Sequence, residues 1–203
     1  MIKFFRHIRK SLIIKNKTGK YFKYAIGEIA LVMIGILLAL QINNWNEDKK
    51  TAKIIEKTLE RIEIEIKTNQ KQINDVYQYH IMVSDTLNKI SMPTTEEEAG
   101  ETLKFWKGLQ IPRLQEAAFQ TAIQNGIGKD INIELLESLN ALYTSQTTYN
   151  EFSKTASLGL YNMDFSNLKN FKQIVTFLNM IMVDLYYFET DLKQRFNDCL
   201  KEI

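Results

Sequence analysis

A run of apolar residues long enough to cross a membrane directly follows a strongly basic segment. Over residues 24–45, Glu28 is the only charged side chain. The residues 25–42 would span about 27 Å as an α-helix, which matches a bilayer core of ~30 Å. Aromatic residues flank both ends of the run, as is typical of membrane interfaces. Residues 1–23 contain no acidic residue and eight basic ones: Lys3, Arg6, Arg9, Lys10, Lys15, Lys17, Lys20 and Lys23. The pattern predicts a transmembrane helix over residues 24–45.

Two other interpretations of this segment are a buried helix of a soluble protein and a cleaved signal peptide. A buried helix is disfavoured because such helices do not normally follow eight unpaired basic residues. A signal peptide is the stronger alternative, since Leu37-Leu38-Ala39 resembles a small-residue cleavage site. Against cleavage stand the length of the basic segment and the charge of Glu28 within the apolar run.

The distribution of basic residues predicts the orientation of the helix. Eight precede the span, and five follow within about twenty residues: Lys49, Lys50, Lys53, Lys57 and Arg61. We therefore expect residues 1–23 to be cytoplasmic and residues 46–203 to be periplasmic, with the span in a bacterial inner membrane. Residues 47–203 have 18 basic and 23 acidic side chains, a net charge of −5. This acidic balance argues against a nucleic-acid partner, whereas the basic segment suits anionic lipid headgroups.

The N-terminal sequence resembles a family of uncharacterised single-pass membrane proteins of Bacteroidota. The resemblance rests on MIKFFRHIRK and on NKTGKYFKYAIGEIALVMIGILLALQINNWNE. In that family a basic opening, a YAIGEI entry, an IGIL-x-ALQINNWNE exit and a helical domain recur. Further along, AFQTAIQNG followed by ELLESLNALY is similar to the family's mid-domain turn and helix, with Asn125-Gly126 where Ser-Gly is expected. The resemblance implies a location and an architecture, and no chemistry.

Two stripes of mostly apolar residues, spaced alternately by three and four, follow the span. This spacing predicts long helices with a coiled-coil-type seam. The first stripe comprises Ile55, Leu59, Ile62, Ile66, Asn69, Ile73, Val76, His80, Val83, Leu87 and Ile90. The second comprises Leu168, Phe171, Val175, Leu178, Met182, Leu185, Glu189, Leu192, Phe196, Cys199 and Ile203. The local run IEIEI at residues 62–66 also fits a strand, but its context favours a helix.

Shorter helices are predicted between the stripes. Thr95 with Glu98 forms a capping box for a helix over 96–107. A helix over 114–124 ends at Asn125-Gly126, and Asn132 could cap another over 133–157. We expect an all-α fold in which the transmembrane helix precedes an exported bundle. The bundle would contain two long antiparallel helices and two or three shorter ones.

An assumed register of the two long antiparallel helices predicts which of their residues are neighbours. With Ile90 beside Leu168, Asn69 would lie opposite Glu189, and Cys199 would lie near Leu59 as a buried thiol. A parallel coiled coil between two chains is the competing arrangement, because heptads alone do not identify the partner helix.

Two groups of polar or small residues are candidates for function. On a helix Glu28, Gly35 and Ala39 share one face, and a small-xxx-small pair allows a second helix to approach closely. Glu28 would bond a partner helix, take part in proton chemistry, or reach the cytoplasmic interface. Asn69, His80 and Glu189 interrupt the stripes, where polar residues often fix register. Alternatively, they reach solvent at the edge of the stripe.

The sequence offers no set of residues for catalysis, a cofactor or a metal. It contains one cysteine, Cys199, and two histidines, His7 and His80. No nucleophile elbow, phosphate-binding glycine loop or HExxH motif is present. The aromatic cluster of Tyr161, Phe177, Tyr186, Tyr187 and Phe188 is expected to be core rather than a ligand groove.

These observations predict a non-enzymatic inner-membrane protein whose periplasmic helical domain acts as a scaffold or binds other envelope proteins. Its partners would be the lipid bilayer and a protein, or a second copy, that contacts the span. The alternative is a ligand-sensing periplasmic module that signals through a membrane partner. The sequence does not identify a small-molecule ligand.

Overall fold

The computed structural model describes residues 18–165 and 167–203, and over these ranges the chain is helical with no β-strand. The five α-helices are α1 (Thr18–Leu87), α2 (Glu96–Thr102), α3 (Ala117–Gln124), α4 (Ile133–Tyr161) and α5 (Phe171–Glu202). Short 3-10 turns occupy Ile127–Lys129 and Leu168–Asn170. The predicted all-α class is confirmed. Six of the basic residues counted above lie outside the described residues: Lys3, Arg6, Arg9, Lys10, Lys15 and Lys17.

The chain divides into two compact units, Met1–Ile54 and Ile55–Ile203. In the first unit, α1 contains an apolar stretch that is long enough to cross a membrane and has none of its residues buried. Its large apolar side chains from Ile26 to Ile42 are exposed, as is Trp45. α1 is helical on both sides of residue 45, so hydropathy and not a break in the helix marks the end of the apolar run.

In the second unit, residues 55–87 of α1 run antiparallel to α5. Side-chain hydrogen bonds join Gln70 to Asn197 (2.9 Å), Tyr77 to Thr190 (3.2 Å) and Ser84 to Asn179 (3.3 Å). Residue numbers rise along α1 as those of their partners fall along α5, which is the pattern of an antiparallel pair. α4 is also antiparallel to α5, because Ser145 bonds Asp191 and Tyr149 bonds Glu189. Every position of the two predicted stripes is buried or partly buried.

The register of α1 against α5 differs from the expected one. The alignment of Ile90 with Leu168 places residue 70 opposite residue 188, whereas Gln70 bonds Asn197, a shift of nine residues. Consequently His80, and not Asn69, meets Glu189. The same shift moves Cys199 away from the level of Leu59. The physical reason is that the buried polar groups select the register, and apolar periodicity alone does not distinguish Asn69 from His80 as the partner of Glu189.

Four helix boundaries also differ from prediction. α4 extends to Tyr161, four residues beyond the predicted residue 157. α1 ends at Leu87 rather than Ile90, because Lys89 N–H donates to Thr86 C=O (3.0 Å) and tightens the last turn. α2 ends at Thr102, well before the predicted residue 107, and α3 begins at Ala117 instead of residue 114. The residues 103–116 between α2 and α3 are therefore not helical, and we call this segment the strap.

The predicted helix starts are confirmed at two positions. Thr95 Oγ1 accepts from Glu98 N–H (3.2 Å), and the Glu98 carboxylate accepts in return from Thr94 N–H (2.7 Å). The hydrogen bonds that the backbone N–H and the hydroxyl of Thr94 donate to this carboxylate lower the pKa of Glu98. Asn132 Oδ1 accepts from the N–H groups of Glu134 and Leu135 at the start of α4. Both caps satisfy amides that have no partner within the helix.

The expectation that the aromatic cluster is core is wrong for three of its members. Tyr161 is 90% exposed, Tyr187 67% and Tyr186 43%. Tyr186 and Tyr187 directly follow the buried seam residue Leu185, so the turn of the helix directs them away from the core. Phe188 is partly buried against Phe152, with ring centroids 5.2 Å apart.

Candidate functional site

A buried histidine joins three elements of the second unit. His80 Nδ1 of α1 lies 2.8 Å from Glu189 Oε1 of α5, and His80 Nε2 lies 2.7 Å from Leu109 C=O of the strap. Tyr149 of α4 donates its hydroxyl proton to the same Glu189 oxygen at 3.0 Å. All three side chains are buried. Because a carbonyl only accepts, His80 Nε2 must carry a proton, and a further proton lies between Nδ1 and the carboxyl.

The His80–Glu189 pair is therefore neutral as a unit, either as an imidazolium with a carboxylate or as an imidazole with a carboxylic acid. Glu189 Oε2 makes no hydrogen bond with any described residue although it is buried. Burial first, and then the negative carboxylate and its hydrogen bond, raise the pKa of Tyr149 well above its ordinary range. The pair, together with Tyr149, ties α1, the strap, α4 and α5 to one point in the core.

Two asparagines hold the end of the strap through its backbone. Asn69 donates from Nδ2 to Gln115 C=O (2.7 Å) and accepts from Gln115 N–H (2.9 Å). Asn150 does the same with Leu114, at 3.0 Å for each bond. In both cases a side-chain amide supplies the donor and acceptor that a neighbouring strand would supply. Asn69 Nδ2 also reaches Gln146 Oε1 of α4 at 2.5 Å.

Glu65 holds the start of α3 as a hydrogen-bond acceptor. Its carboxylate accepts from Ala118 N–H (2.8 Å), from Phe119 N–H (3.4 Å) and from the hydroxyl of Tyr143 (2.8 Å). The N-cap residue of α3, Glu116, makes no capping bond with its own side chain. Glu65 therefore caps α3 from another helix, where a negative charge is favoured by the helix dipole. The rings of Tyr143 and Phe119 stack at 4.3 Å, and burial raises the pKa of Tyr143 far above its usual range.

The other end of the strap bonds to Tyr79. Its hydroxyl donates to Gly108 C=O (2.8 Å) and accepts from Lys107 N–H (2.9 Å). Burial raises the pKa of Tyr79, and the bond from Lys107 opposes that rise. Gly108 has φ +88°, in the left-handed region that glycine adopts without strain. The strap is thus fixed at Lys107–Leu109 and again at Leu114–Gln115.

The predicted polar residues are all part of this network, but they do not meet each other as expected. Asn69, His80 and Glu189 are buried, so they do not reach solvent at the edge of the stripe. Sequence reasoning missed Glu65, Gln146, Tyr149 and Asn150, which have no local motif. The one sequence signal that could have predicted their burial is their position next to the apolar residues of the helix seams.

Glu28, Gly35 and Ala39 lie in the first unit. Gly35 and Ala39 are exposed and Glu28 is partly exposed; apart from the neighbouring residues and backbone of α1 itself, no atom lies within 4 Å of the point where a Cβ on Gly35 would stand. Gly35 therefore leaves open space on one face of α1 in a single chain. This is the geometry that close approach of a second helix requires.

An open polar cleft of about 900 Å³ lies between the end of the strap and α4. Arg113 and Lys154 line it together with Glu116 and Glu151, so both signs of charge are present. Thr147 donates to the Glu116 carboxylate at 3.3 Å. Among the residues that the structure describes, no group of three or more His, Cys, Asp or Glu side chains could hold a metal ion.

Comparisons of the chain with protein-family models, with curated proteins and with solved structures give no match.

Proposed function

We propose that this protein is a non-enzymatic, single-pass inner-membrane protein of the Bacteroidota family that its N-terminus resembles. Its periplasmic helical bundle would act as a scaffold that binds other envelope proteins. The observation that carries the proposal is the run of exposed large apolar side chains from Ile26 to Ile42 in α1. Soluble monomeric proteins rarely expose so large a contiguous apolar surface, whereas a bilayer covers it.

The buried polar network supports a scaffold rather than a catalyst. Asn69 and Asn150 direct their amides to strap backbone, and Glu65 directs its carboxylate to the start of α3. His80 has both ring nitrogens occupied by protein groups. Groups engaged in this way fix a surface in one shape, and a rigid surface binds a partner with a smaller loss of entropy.

A topology experiment tests the location. A reporter that is active only outside the cytoplasm should be active when fused after Ile203 and silent when fused near Met1. The reverse pattern would contradict the orientation. A mature chain that starts near residue 40 would instead support the cleaved signal peptide and contradict the anchor.

A cross-linking experiment tests the partner of the span. Glu28→Ala and Gly35→Leu should each reduce cross-linked complexes in membranes if this face of α1 contacts a second helix. Gly27→Leu is the matched control, because Gly27 also has open space around it but lies about 100° away around the helix. Unchanged cross-linking in all three variants would favour Glu28 reaching the interface.

The alternative function is a ligand-sensing module that signals through a membrane partner. The polar cleft of about 900 Å³ favours it, because Arg113, Lys154 and Glu151 could bind a zwitterionic small molecule. A thermal-shift screen of polar metabolites against the full chain would distinguish the two functions. A stabilising compound whose effect is lost in Arg113→Ala would support the sensor.

A further inference from the structure

An apolar groove with a basic rim lies where α4 ends and α5 begins. It consists of two depressions of about 540 and 600 Å³ that are widely open to solvent and share the lining residue Met163. Phe177 and Met180 line the first cavity, and Trp106 and Phe165 line the second. Gly159 lets the ring of Phe177 approach the backbone of α4, because a Cβ at that position would stand 2.6 Å from the ring.

The charge around this groove contrasts with the rest of the second unit. Residues 55–203 contain 15 basic and 21 acidic residues, yet no acidic side chain lines either cavity. Lys169 and Lys172 line the first cavity, are exposed, and form no ion pair with a described residue. The first turn of α5 also contains no acidic residue. The rim is therefore suited to a negative group.

Apolar side chains are exposed along the groove. Met180 is 62% exposed and Phe165 49%, and Tyr161 of the second cavity projects into solvent. These side chains supply an apolar surface that the chain of a small amphiphile could cover. Methionines at such a site adapt to flexible apolar chains of different shape.

We propose that this groove binds a single-chain amphiphilic anion, such as a fatty acid. The apolar chain would lie along Trp106, Met163 and Phe177, and the acid group would pair with Lys169 and Lys172. Because the groove is open, the bound chain would keep one side exposed to solvent. This inference goes beyond the proposed scaffold function and does not depend on it, because the groove lies wholly in the unit Ile55–Ile203.

Quenching of Trp106 fluorescence provides a direct test. The chain has two tryptophans, so Trp45→Phe leaves Trp106 in the groove as the sole reporter. The full-length Trp45→Phe chain, held in amphipol, is titrated with dibromostearate and separately with its uncharged methyl ester. We expect saturable quenching by the acid and about tenfold weaker binding of the ester, the factor that corresponds to loss of one good charge contact.

Charge reversal at the rim supplies the second arm. The double variant Lys169→Glu/Lys172→Glu should weaken dibromostearate binding about tenfold or more, because the carboxylate then meets like charge. Lys71→Glu/Lys129→Glu makes the same change in net charge at exposed positions outside the groove and should bind like the parent chain. Circular dichroism verifies that both double variants keep their helical content.

Two results would overturn the proposal. In the first, acid and ester quench equally, or reversal at the rim has no effect beyond that of the control pair. In the second, the chain is dimeric and Met180→Lys makes it monomeric. Neither the dimer nor the monomer then shows saturable quenching of Trp106 by dibromostearate. The groove would then be covered by a second copy.

Discussion

His80 Nδ1 of α1 and Glu189 Oε1 of α5 lie 2.8 Å apart, and both side chains are almost completely buried. The same imidazole donates from Nε2 to Leu109 C=O, so one side chain links two long helices and the strap. A buried pair of this kind loses hydration on folding, and its mutual attraction and hydrogen bonds offset the free-energy cost of that loss. The pair therefore specifies which residues of α1 and α5 meet, and its net contribution to the free energy of unfolding is small.

The first prediction concerns removal of one partner from this pair. His80→Leu and Glu189→Leu should each lower the free energy of unfolding by about 3–5 kcal/mol, because each leaves a buried polar or charged group without its partner. The double variant should lose much less than the sum of the two single losses. Urea unfolding of the full chain, followed by circular dichroism, measures all three. Strictly additive losses would contradict direct coupling.

The second prediction concerns the attachment of the strap. Asn69→Leu should increase hydrogen exchange at the amide of Gln115, which donates to Asn69 Oδ1 in the native chain. Exchange at Leu114 should rise less, since its amide is held by Asn150. Asn74→Leu is a matched control on an exposed position of α1. Equal protection of Gln115 in both variants would contradict the role of Asn69.

Apolar periodicity predicted which faces of the long helices are buried. All positions of the stripe from Leu168 to Ile203 are buried or partly buried, because a heptad pattern reports directly which face meets a neighbour. The caps at Thr95 and Asn132 were also predictable, since a cap depends on residues within one turn.

The strap and the register were not predictable in this way. Leu114 and Gln115 look like the start of a helix, but their backbone groups bond to Asn150 and Asn69, which are 36 and 46 residues distant in sequence. Likewise, Asn69 and His80 are equally polar interruptions of one stripe. Only the three-dimensional arrangement determines that His80 meets Glu189.

The third prediction compares two glycines within helices. Gly159→Ala should destabilise the chain by about 1–3 kcal/mol, because its Cβ would stand 2.6 Å from the Phe177 ring and force it to move. Gly100→Ala should instead stabilise it by about 0.5–1 kcal/mol, since Gly100 lies in α2 with open space around it. Thermal unfolding of both variants checks the opposite signs.

The fourth prediction is a loss of stability at alkaline pH. Burial raises the pKa of the Cys199 thiol to about 11 from 9.0, and the carboxylates of Glu202 and Asp198 add to that rise. Between about pH 9 and pH 11 the folded chain therefore keeps the thiol proton of Cys199, whereas the unfolded chain loses it. The stability that the neutral thiol contributes is complete below pH 9 and is lost as the pH rises towards 11, with a slope of at most about 1.4 kcal/mol per pH unit.

The buried hydroxyls of Tyr143 and Tyr149 act in the same direction, because the pKa of each is raised above its ordinary value near 10. Their contribution is complete below pH 10 and decreases above it. Urea midpoints at pH 7, 9 and 10.5 should fall for the parent chain. They should fall less for Cys199→Ala and least when Tyr143→Phe and Tyr149→Phe are added. Parallel curves for all variants would contradict the prediction.

The fifth prediction tests the antiparallel arrangement and its register within one chain. Ser84 lies 3.3 Å from Asn179 between their side-chain oxygens, so cysteines at these two positions should be joined by a short bis-maleimide linker of about 8 Å. In a Cys199→Ser background, Ser84→Cys/Asn179→Cys should give a cross-linked monomer. Leu59→Cys paired with native Cys199 should not, because the observed register separates them by about nine residues, or ~13 Å along the helix axis.

Linkage of position 59 to Cys199 would contradict the observed register and support the one that places Ile90 beside Leu168. Cross-linked dimers without cross-linked monomers would instead show that α1 and α5 pair between chains.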